Sequence, residues 1–546
     1  MGKSKKQSLK TPPASRRIDG KYFAYAFLVL VIVFVAVIRV RLRAMPLERD
    51  EGEYAYAGQL MLQGIPPYKL AYTMKLPGTA AAYAVMMAIF GQSPSAIHVG
   101  LLLVNVATTL LVYVLAKRMS SQSGGVVAAA SYAVLSTSAS VLGLAAHAAH
   151  FVVFFAMAGI LVLLRAMDTD RTWQIFVGGF LLGLAFLMKQ PGIVFAAFGG
   201  FCVLAGEWPP PIRWRRVLIR SASYGAGVAL PFALTCLILL AAGVFGNFRF
   251  WVFTYASQYT SEIGLSRGVG EFMYNFPRVV GPAIGLWIVA AIGLVISLRD
   301  QENQRAGILL AALLLLSFLG VCPGLYFRRH YFILMLPALA VLAGSAVCSA
   351  AKFLASRRPA WAAIPGVIFA AALGYAVLAQ KDVLFEMEPG QVCQKEYGSN
   401  PFPEAKVIAD YLDAHTSPGE PVAVLGSEPE IYFYAKRHSA TGFIYVYGLM
   451  EQQKYSLEMQ KQMIGEIESA DPQYLVIAKS RTSWLPTEGS PEAQSMTAWI
   501  SACLARYELV GVAERIGGRT EYRWDEDARA YKVHSQNIVG VFKKKS

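Results

Sequence analysis

The chain has 546 residues, 55% hydrophobic and only 16% charged, with a mean hydropathy of +0.43. Soluble globular chains average about 25% charged residues, so this composition excludes an ordinary soluble domain. The net charge of +15 does not point to nucleic acid, because Lys and Arg sit in short loops between apolar runs and not in a basic domain with interleaved aromatics.

In chain order, the basic stretch 1–21 reads as a cytoplasmic tail. The apolar run at 22–41 is too long for a signal-peptide core and has no small-residue cleavage site, so it is predicted to be an uncleaved anchor. Crossing about 30 Å of hydrocarbon takes roughly 17 to 25 apolar residues, and fewer inside a bundle. Further spans are predicted at 96–116, 125–145, 150–165, 173–188, 191–206, 221–243, 279–298, 306–321, 330–350 and 360–380, about eleven in all.

The run at 78–91 is short for a span and favours a re-entrant or interfacial helix. Charge gives the same answer, since counting it would export the loops holding Lys117, Arg118, Arg171, Arg213, Arg215, Arg216, Arg299 and Lys352. A transmembrane domain over 22–380 follows, with outer loops at 42–95, 146–149, 189–190, 244–278 and 322–329.

Odd parity exports residues 381–546 as a separate α/β domain. Its pattern gives a helix at 403–415, a strand at 421–425, a helix around 428–434, a strand at 473–478, then alternating strand-like segments to 542. Cys393 and Cys503 fit a disulfide in an oxidising space and two free thiols equally well. No zinc or CxxC spacing and no internal repeat is present.

Charged groups beside apolar spans are costly and mark functional candidates. The outer loop opens with Glu48-Arg49-Asp50-Glu51-Gly52-Glu53, at the start of a helix whose apolar face includes Ala55, Leu60, Met61 and Leu62, and the same loop holds Lys69 and Lys75. His147 and His150 bracket the next outer loop, Lys189 caps a tight hairpin between short spans, and Arg328-Arg329-His330 precedes the tenth span. Loop 244–278 adds Arg249, Tyr255, Tyr259, Glu262 and Arg267, in a pattern suited to a lid or to an interfacial helix. The bland readings are a solvated charge run, snorkelling anchors and plain helix-end histidines. Together, though, these residues put acids fit for base catalysis and cations fit for phosphate on one lipid-facing surface.

The run from Asp50 to Gln59, the segment Lys75-Leu76-Pro77-Gly78 with Phe90-Gly91, the hairpin Lys189-Gln190-Pro191-Gly192 and the start His330-Tyr331-Phe332 resemble the bacterial family-39 glycosyltransferases. These are GT-C fold enzymes related to protein O-mannosyltransferases and to the lipid A aminoarabinose transferase. The likeness covers roughly 20–350 and the segment Gly426-Ser427-Glu428-Pro429-Glu430 with Tyr432.

The resemblance implies a polytopic α-helical membrane protein of GT-C type with an exported α/β domain, set in the plasma membrane. It implies transfer of a sugar from a polyprenyl-phosphate carrier to a lipid, glycan or protein acceptor on the outer face, with inversion. Asp50 falls at the family's catalytic aspartate, with Glu51 as supporting acid, and Lys75 and Lys189 fall at its phosphate-binding lysines. Arg328 and Arg329 are further phosphate candidates, and Glu53, His147, His150 and His330 are supporting ones. Two departures stand out: Glu53 replaces a basic residue of some members, and Ala145-Ala146-His147 lacks an acid common in the second outer loop. No metal ligand is assigned, and the use of a divalent metal stays open. The competing reading is a transporter or flippase for a lipid-linked sugar, whose expected repeats are missing.

Overall fold

The computed structural model describes residues 20–206 and 213–545, so the predicted basic tail lies, up to residue 19, outside the described residues. The apolar runs form helices. In order these are α1 (Gly20–Arg41), α2 (Arg49–Leu62), α3 (Gly78–Phe90), α4 (Pro94–Met119), α5 (Gln122–Thr137), α6 (Ala148–Thr169), α7 (Thr172–Met188), α8 (Ile193–Ala205) and α9 (Trp214–Ala241). The short α10 (Phe245–Arg249) and α11 (Ala256–Thr260), joined by a π-helical turn, lead into α12 (Leu265–Val280). Then follow α13 (Ile284–Arg299), α14 (Gln304–Val321), α15 (Leu336–Arg357) and α16 (Ile364–Leu378).

Among the described residues, eight helical stretches are long and apolar enough to cross a membrane. The other three predicted spans fall on α5, α7 and α8, of 16, 17 and 13 residues. Segment 244–278 is helical and not an open loop. Phe248, Trp251 and Tyr255 pack inward, with Tyr72 stacked on Trp251 at 5.4 Å, and the helical stretch Leu265–Arg299 contains a window apolar enough to cross a membrane.

Close helix approach is set by small residues, as expected where lipid offers no hydrophobic driving force. A Cβ at Gly183 of α7 would lie 2.3 Å from the Val228 carbonyl of α9, and one at Gly227 would lie 2.2 Å from that of Phe176. Arg39, buried near the end of α1, donates from one terminal nitrogen to the carbonyls of Ser136 and Gly143 at 2.8 and 3.0 Å.

After α16 come a π-helical turn (Asp382–Glu386), α17 (Pro389–Tyr397), α18 (Phe402–His415), β1 (Val422–Leu425), α19 (Glu430–Ala435), α20 (Tyr447–Met450), α21 (Ser456–Ala470) and β2 (Tyr474–Ala478). The chain ends in α22 (Arg481–Trp484), α23 (Pro491–Leu504), β3 (Tyr507–Ile516), β4 (Arg519–Trp524), α24 (Asp525–Ala530) and β5 (Ile538–Lys544). The sheet order is β1-β2-β5-β3-β4, parallel only between β1 and β2. Gly517 and Gly518, both at positive φ, make the two-residue turn that sets the β3–β4 register.

Side chains alternate across the strands. Val422, Val424 and Val476 face α18 and α19 in a core continuous with the membrane helices. Ala423, Leu425, Leu475 and Ile477 face Met459 and Met463 of α21 and Met496 of α23. Helix α23 corrects the sequence reading of strands only after 478: Pro491 at its start and Ser490, whose hydroxyl accepts from Ala493 N at 3.1 Å, fix a helix there. Cys393 and Cys503 are both free.

Candidate active site

Helix α2 begins with a reciprocal cap. Glu51 N donates to Glu48 Oε1 at 3.0 Å, and Glu48 N donates to Glu51 Oε2 at 3.3 Å. Acids at this end also meet the positive pole of the helix. Asp50 and Glu53, three residues apart, share one face. There the Lys75 ammonium donates to Asp50 Oδ1 at 2.7 Å and to Glu53 Oε2 at 2.6 Å, and Thr73 hydrogen-bonds the other oxygen of Glu53. Glu51 points the opposite way. It is fully buried, 3.0 Å from His98 Nε2, and accepts from Ala146 N at 2.6 Å.

The environments drive these groups apart. Burial pushes the Asp50 carboxyl up, but the Lys75 ammonium, together with His330 and His147, outweighs it and holds Asp50 well below the usual carboxylate range. For Glu53 burial wins over Lys75 and the carboxyl is raised. Lys75 is held firmly protonated, the burial cost being overcome by Asp50 and Glu53. Lys189 has no such pair and is brought down by burial to about 7, its ammonium lying 4.0 Å from the centre of the Tyr331 ring.

The C-terminal region grips the same helix turn. Tyr445 donates its hydroxyl to Asp50 Oδ1 at 3.0 Å. Arg49 donates to the Ser427 carbonyl at 2.5 Å, to Asn400 Oδ1 at 2.9 Å and to Glu428 Oε1 at 3.0 Å, and Glu428 also accepts from Ser483 at 2.6 Å. Gly52 lets the backbone of α19 close in, since a Cβ there would lie 2.7 Å from Glu430 N. The Glu430 carboxyl is buried without a partner, and burial raises it well above the usual range.

These groups line a cavity of about 490 Å³. Of the predicted residues, Asp50, Glu53, Lys75, His147, Lys189, Arg328, Arg329 and His330 reach it, whereas Glu51 and His150 do not. Arg329 is tied to Glu396 at 3.0 Å. His147 stacks on His330 at 4.1 Å, and donor atoms of Asp50, His147 and His330 lie within 4.8 Å of one another, a set able to hold a metal ion. Two further lining residues pair with each other, Tyr255 donating to Glu451 at 3.2 Å. Arg49, Tyr445 and Glu451 were not found from the sequence. Their partners lie hundreds of residues away, and the only available signal was a cation in one acidic segment matched by the acids of Gly426–Glu430.

Residues 75–239 match the sequence model of the dolichyl-phosphate-mannose-protein mannosyltransferase family. Comparison with curated protein sequences finds no match. Among solved structures, ArnT from Cupriavidus metallidurans bound to undecaprenyl phosphate superposes with a TM-score of 0.56 at 16% identity, over 96% of this chain and 98% of that one. Its apo state gives 0.56 and 16%, over 95% and 98%. AglB from Archaeoglobus fulgidus, in complex with an inhibitory peptide and a dolichol-phosphate, gives 0.49 and 14%, over 93% and 75%. This chain has the fold of the GT-C glycosyltransferases, and the stretch that carries Lys75, His147 and Lys189 is the one matching the mannosyltransferase family.

Proposed function

We propose that the protein is a membrane glycosyltransferase that moves a sugar from a polyprenyl-phosphate carrier to an acceptor hydroxyl on the outer face of the membrane. The observation that carries this reading is the Asp50–Lys75–Glu53 cluster, set in the wall of a cavity that also holds Lys189 and Arg328. The undecaprenyl phosphate bound by C. metallidurans ArnT, a protein of the same fold, supports a lipid phosphate as the donor head.

The chemistry is a displacement at the anomeric carbon. The acceptor oxygen forms its bond to that carbon as the bond to the phosphate oxygen breaks, and the electron pair leaves with the phosphate. The acceptor proton passes to Asp50. Attack opposite the leaving group inverts the centre. Lys75 serves both ends of this exchange. While it rests on Asp50 the carboxylate is a weak base, and when the donor phosphate draws the ammonium away, Asp50 Oδ1 is freed to take a proton. Lys189 and Arg328 supply further positive charge to the departing phosphate.

The direct test is release of free polyprenyl phosphate from a labelled polyprenyl-phosphate sugar. A transporter would bind the same lipid and leave the bond intact, so absence of release across a panel of donors and acceptors sinks the reading. The side is tested separately by reporter fusions. One placed after Gln380 should be active only if it requires export, and one at Pro210 only if it works in the cytoplasm. Two observations favour that orientation. The cavity and the C-terminal region share one end of the bundle, while the pairs Arg118–Asp168 and Arg216–Asp170 join the connections predicted to be cytoplasmic.

A further inference from the structure

We propose that Tyr445 is a positioning residue for sugar transfer, holding the Asp50 carboxylate in place after Lys75 has moved to the donor phosphate. The proposal rests on the glycosyl-transfer reading and adds a side chain of the C-terminal region to its machinery. Among the described residues, two side chains hydrogen-bond the Asp50 carboxylate, Lys75 at 2.7 Å and Tyr445 at 3.0 Å, and both donate to Oδ1. His330 Nε2 lies 3.9 Å from Oδ2, too far for a hydrogen bond. When the phosphate draws Lys75 away, Tyr445 is the donor that stays on the base.

A phenol suits that task. An ionised carboxylate only accepts hydrogen bonds, so the Tyr445 hydroxyl donates and takes up one lone pair of Oδ1. The other lone pair is the one that Lys75 vacates. An acceptor hydroxyl bonded there passes its proton to Oδ1 as its oxygen joins the anomeric carbon and the phosphate departs with the electron pair. With Tyr445 in place the carboxylate keeps its orientation through this exchange. Without it the group is free to rotate or to follow the ammonium, and a misplacement of about 1 Å costs up to about 100-fold in rate.

Tyr445 is itself held on both sides, as positioning requires. The next residue, Val446, donates its backbone N–H to Ser427 Oγ at 3.0 Å. Tyr447 donates its hydroxyl to the Thr482 carbonyl at 2.7 Å, and its ring stands edge-on to that of Tyr445 at 5.5 Å. Arg49 closes the circuit, since its guanidinium donates to the Ser427 carbonyl and lies 5.2 Å from the centre of the Tyr447 ring. Asp50 follows Arg49 directly in the chain. The carboxylate and the hydroxyl that holds it are thus tied together by two routes, one through the backbone of α2 and one through the hydrogen bond itself. The Tyr445 ring has a separate contact, with the Lys75 ammonium 5.5 Å from its centre and 4.5 Å from that of Tyr54. Removing the hydroxyl alone therefore isolates the hold on Asp50 from the hold on Lys75.

The test is Tyr445→Phe in the full chain, in lipid nanodiscs, with thermal unfolding followed beside each assay. Release of polyprenyl phosphate at saturating donor should fall about 10- to 150-fold, the worth of one hydrogen bond to a charged group. The half-saturating donor concentration and the binding of undecaprenyl phosphate should stay within about twofold, because the lost interaction acts on turnover and not on the donor. In an Asp50→Asn background the same change should cost at most about threefold, since Tyr445 acts through the carboxylate. Full release by Tyr445→Phe overturns the role and leaves the transfer reading standing. An equal loss in both backgrounds, or a variant that unfolds, marks a structural tyrosine and also overturns it. So does a fall in donor affinity large enough to account for the lost release, which returns Tyr445 to holding Lys75. No release by the unaltered protein, with undecaprenyl phosphate still bound, removes the transfer reading and the positioning role with it.

Discussion

Replacing Lys75 by Met separates two jobs that the lysine performs. Its side chain is only 21% exposed, and its ammonium is shared by Asp50 and Glu53 at 2.7 and 2.6 Å. A phosphate contact from this ammonium is a charged hydrogen bond worth about 1.5 to 3 kcal/mol, so Lys75→Met should weaken binding of polyprenyl phosphate by about 10- to 150-fold. The same change leaves the buried Glu53 carboxylate beside the partly buried one of Asp50, and that alone can disturb the pocket. Glu53→Gln in the Lys75→Met background removes the repulsion without replacing the cation. Binding of labelled polyprenyl phosphate to protein in lipid nanodiscs, measured beside thermal unfolding, distinguishes the two effects. Stability should recover in the double variant and donor affinity should not. If donor affinity recovers with stability, Lys75 only neutralises the acids and its assignment to the phosphate fails.

Asp50→Asn keeps shape and removes the basic charge, so turnover should drop by about 10²- to 10⁴-fold with donor binding little changed; near-normal turnover in a stopped assay would end the base assignment. Arg49→Met strands Glu428, whose side chain is fully buried, and should destabilise the C-terminal region by about 3 to 5 kcal/mol. The added change Glu428→Leu should restore most of that loss, as followed by chemical unfolding. Glu451 is pushed up to about 8 by burial and by Glu262, near Tyr255 and Arg328. The folded protein therefore holds a proton there that the unfolded chain releases. This contribution is complete below the usual carboxylate range and is lost as pH rises through about 8. Glu451→Gln should flatten the dependence of thermal stability between pH 5 and about 9, and an unchanged slope would show that Glu451 is not its source.

Much of the fold can be read from the sequence, because lipid imposes a simple demand. Every backbone group must be paired within its own segment, so apolar runs of sufficient length become helices, including the short α3 at Gly78–Phe90. The acids of α2 and the lysines also stand out, since charge beside lipid is rare. The helical phase within the acidic run was less apparent. Adjacent residues diverge by about 100°, which turns Asp50 to the cavity and Glu51 to His98 and the Ala146 amide. Tyr445 lay out of reach of any local pattern, as its hydroxyl meets Asp50 across a separation of 395 residues. Helices α21 and α23 were passed over because their apolar faces are sparse, and they are held by the sheet face they cover.

The grip of the C-terminal region on α2 also sets an order of events during synthesis. Arg49 emerges 378 residues before the Ser427 carbonyl that receives it. At about 5 to 20 residues per second, α2 waits roughly 20 to 75 s for the surface that fixes Arg49, Gly52 and Asp50. Over that interval Asp50, Glu53 and Lys75 pair with one another, and Glu51 with His98 and the Ala146 amide. A nascent or prematurely ended chain therefore inserts its helices before Asp50 has met Tyr445, and the proposed transfer site is complete only when the C-terminal region has been made.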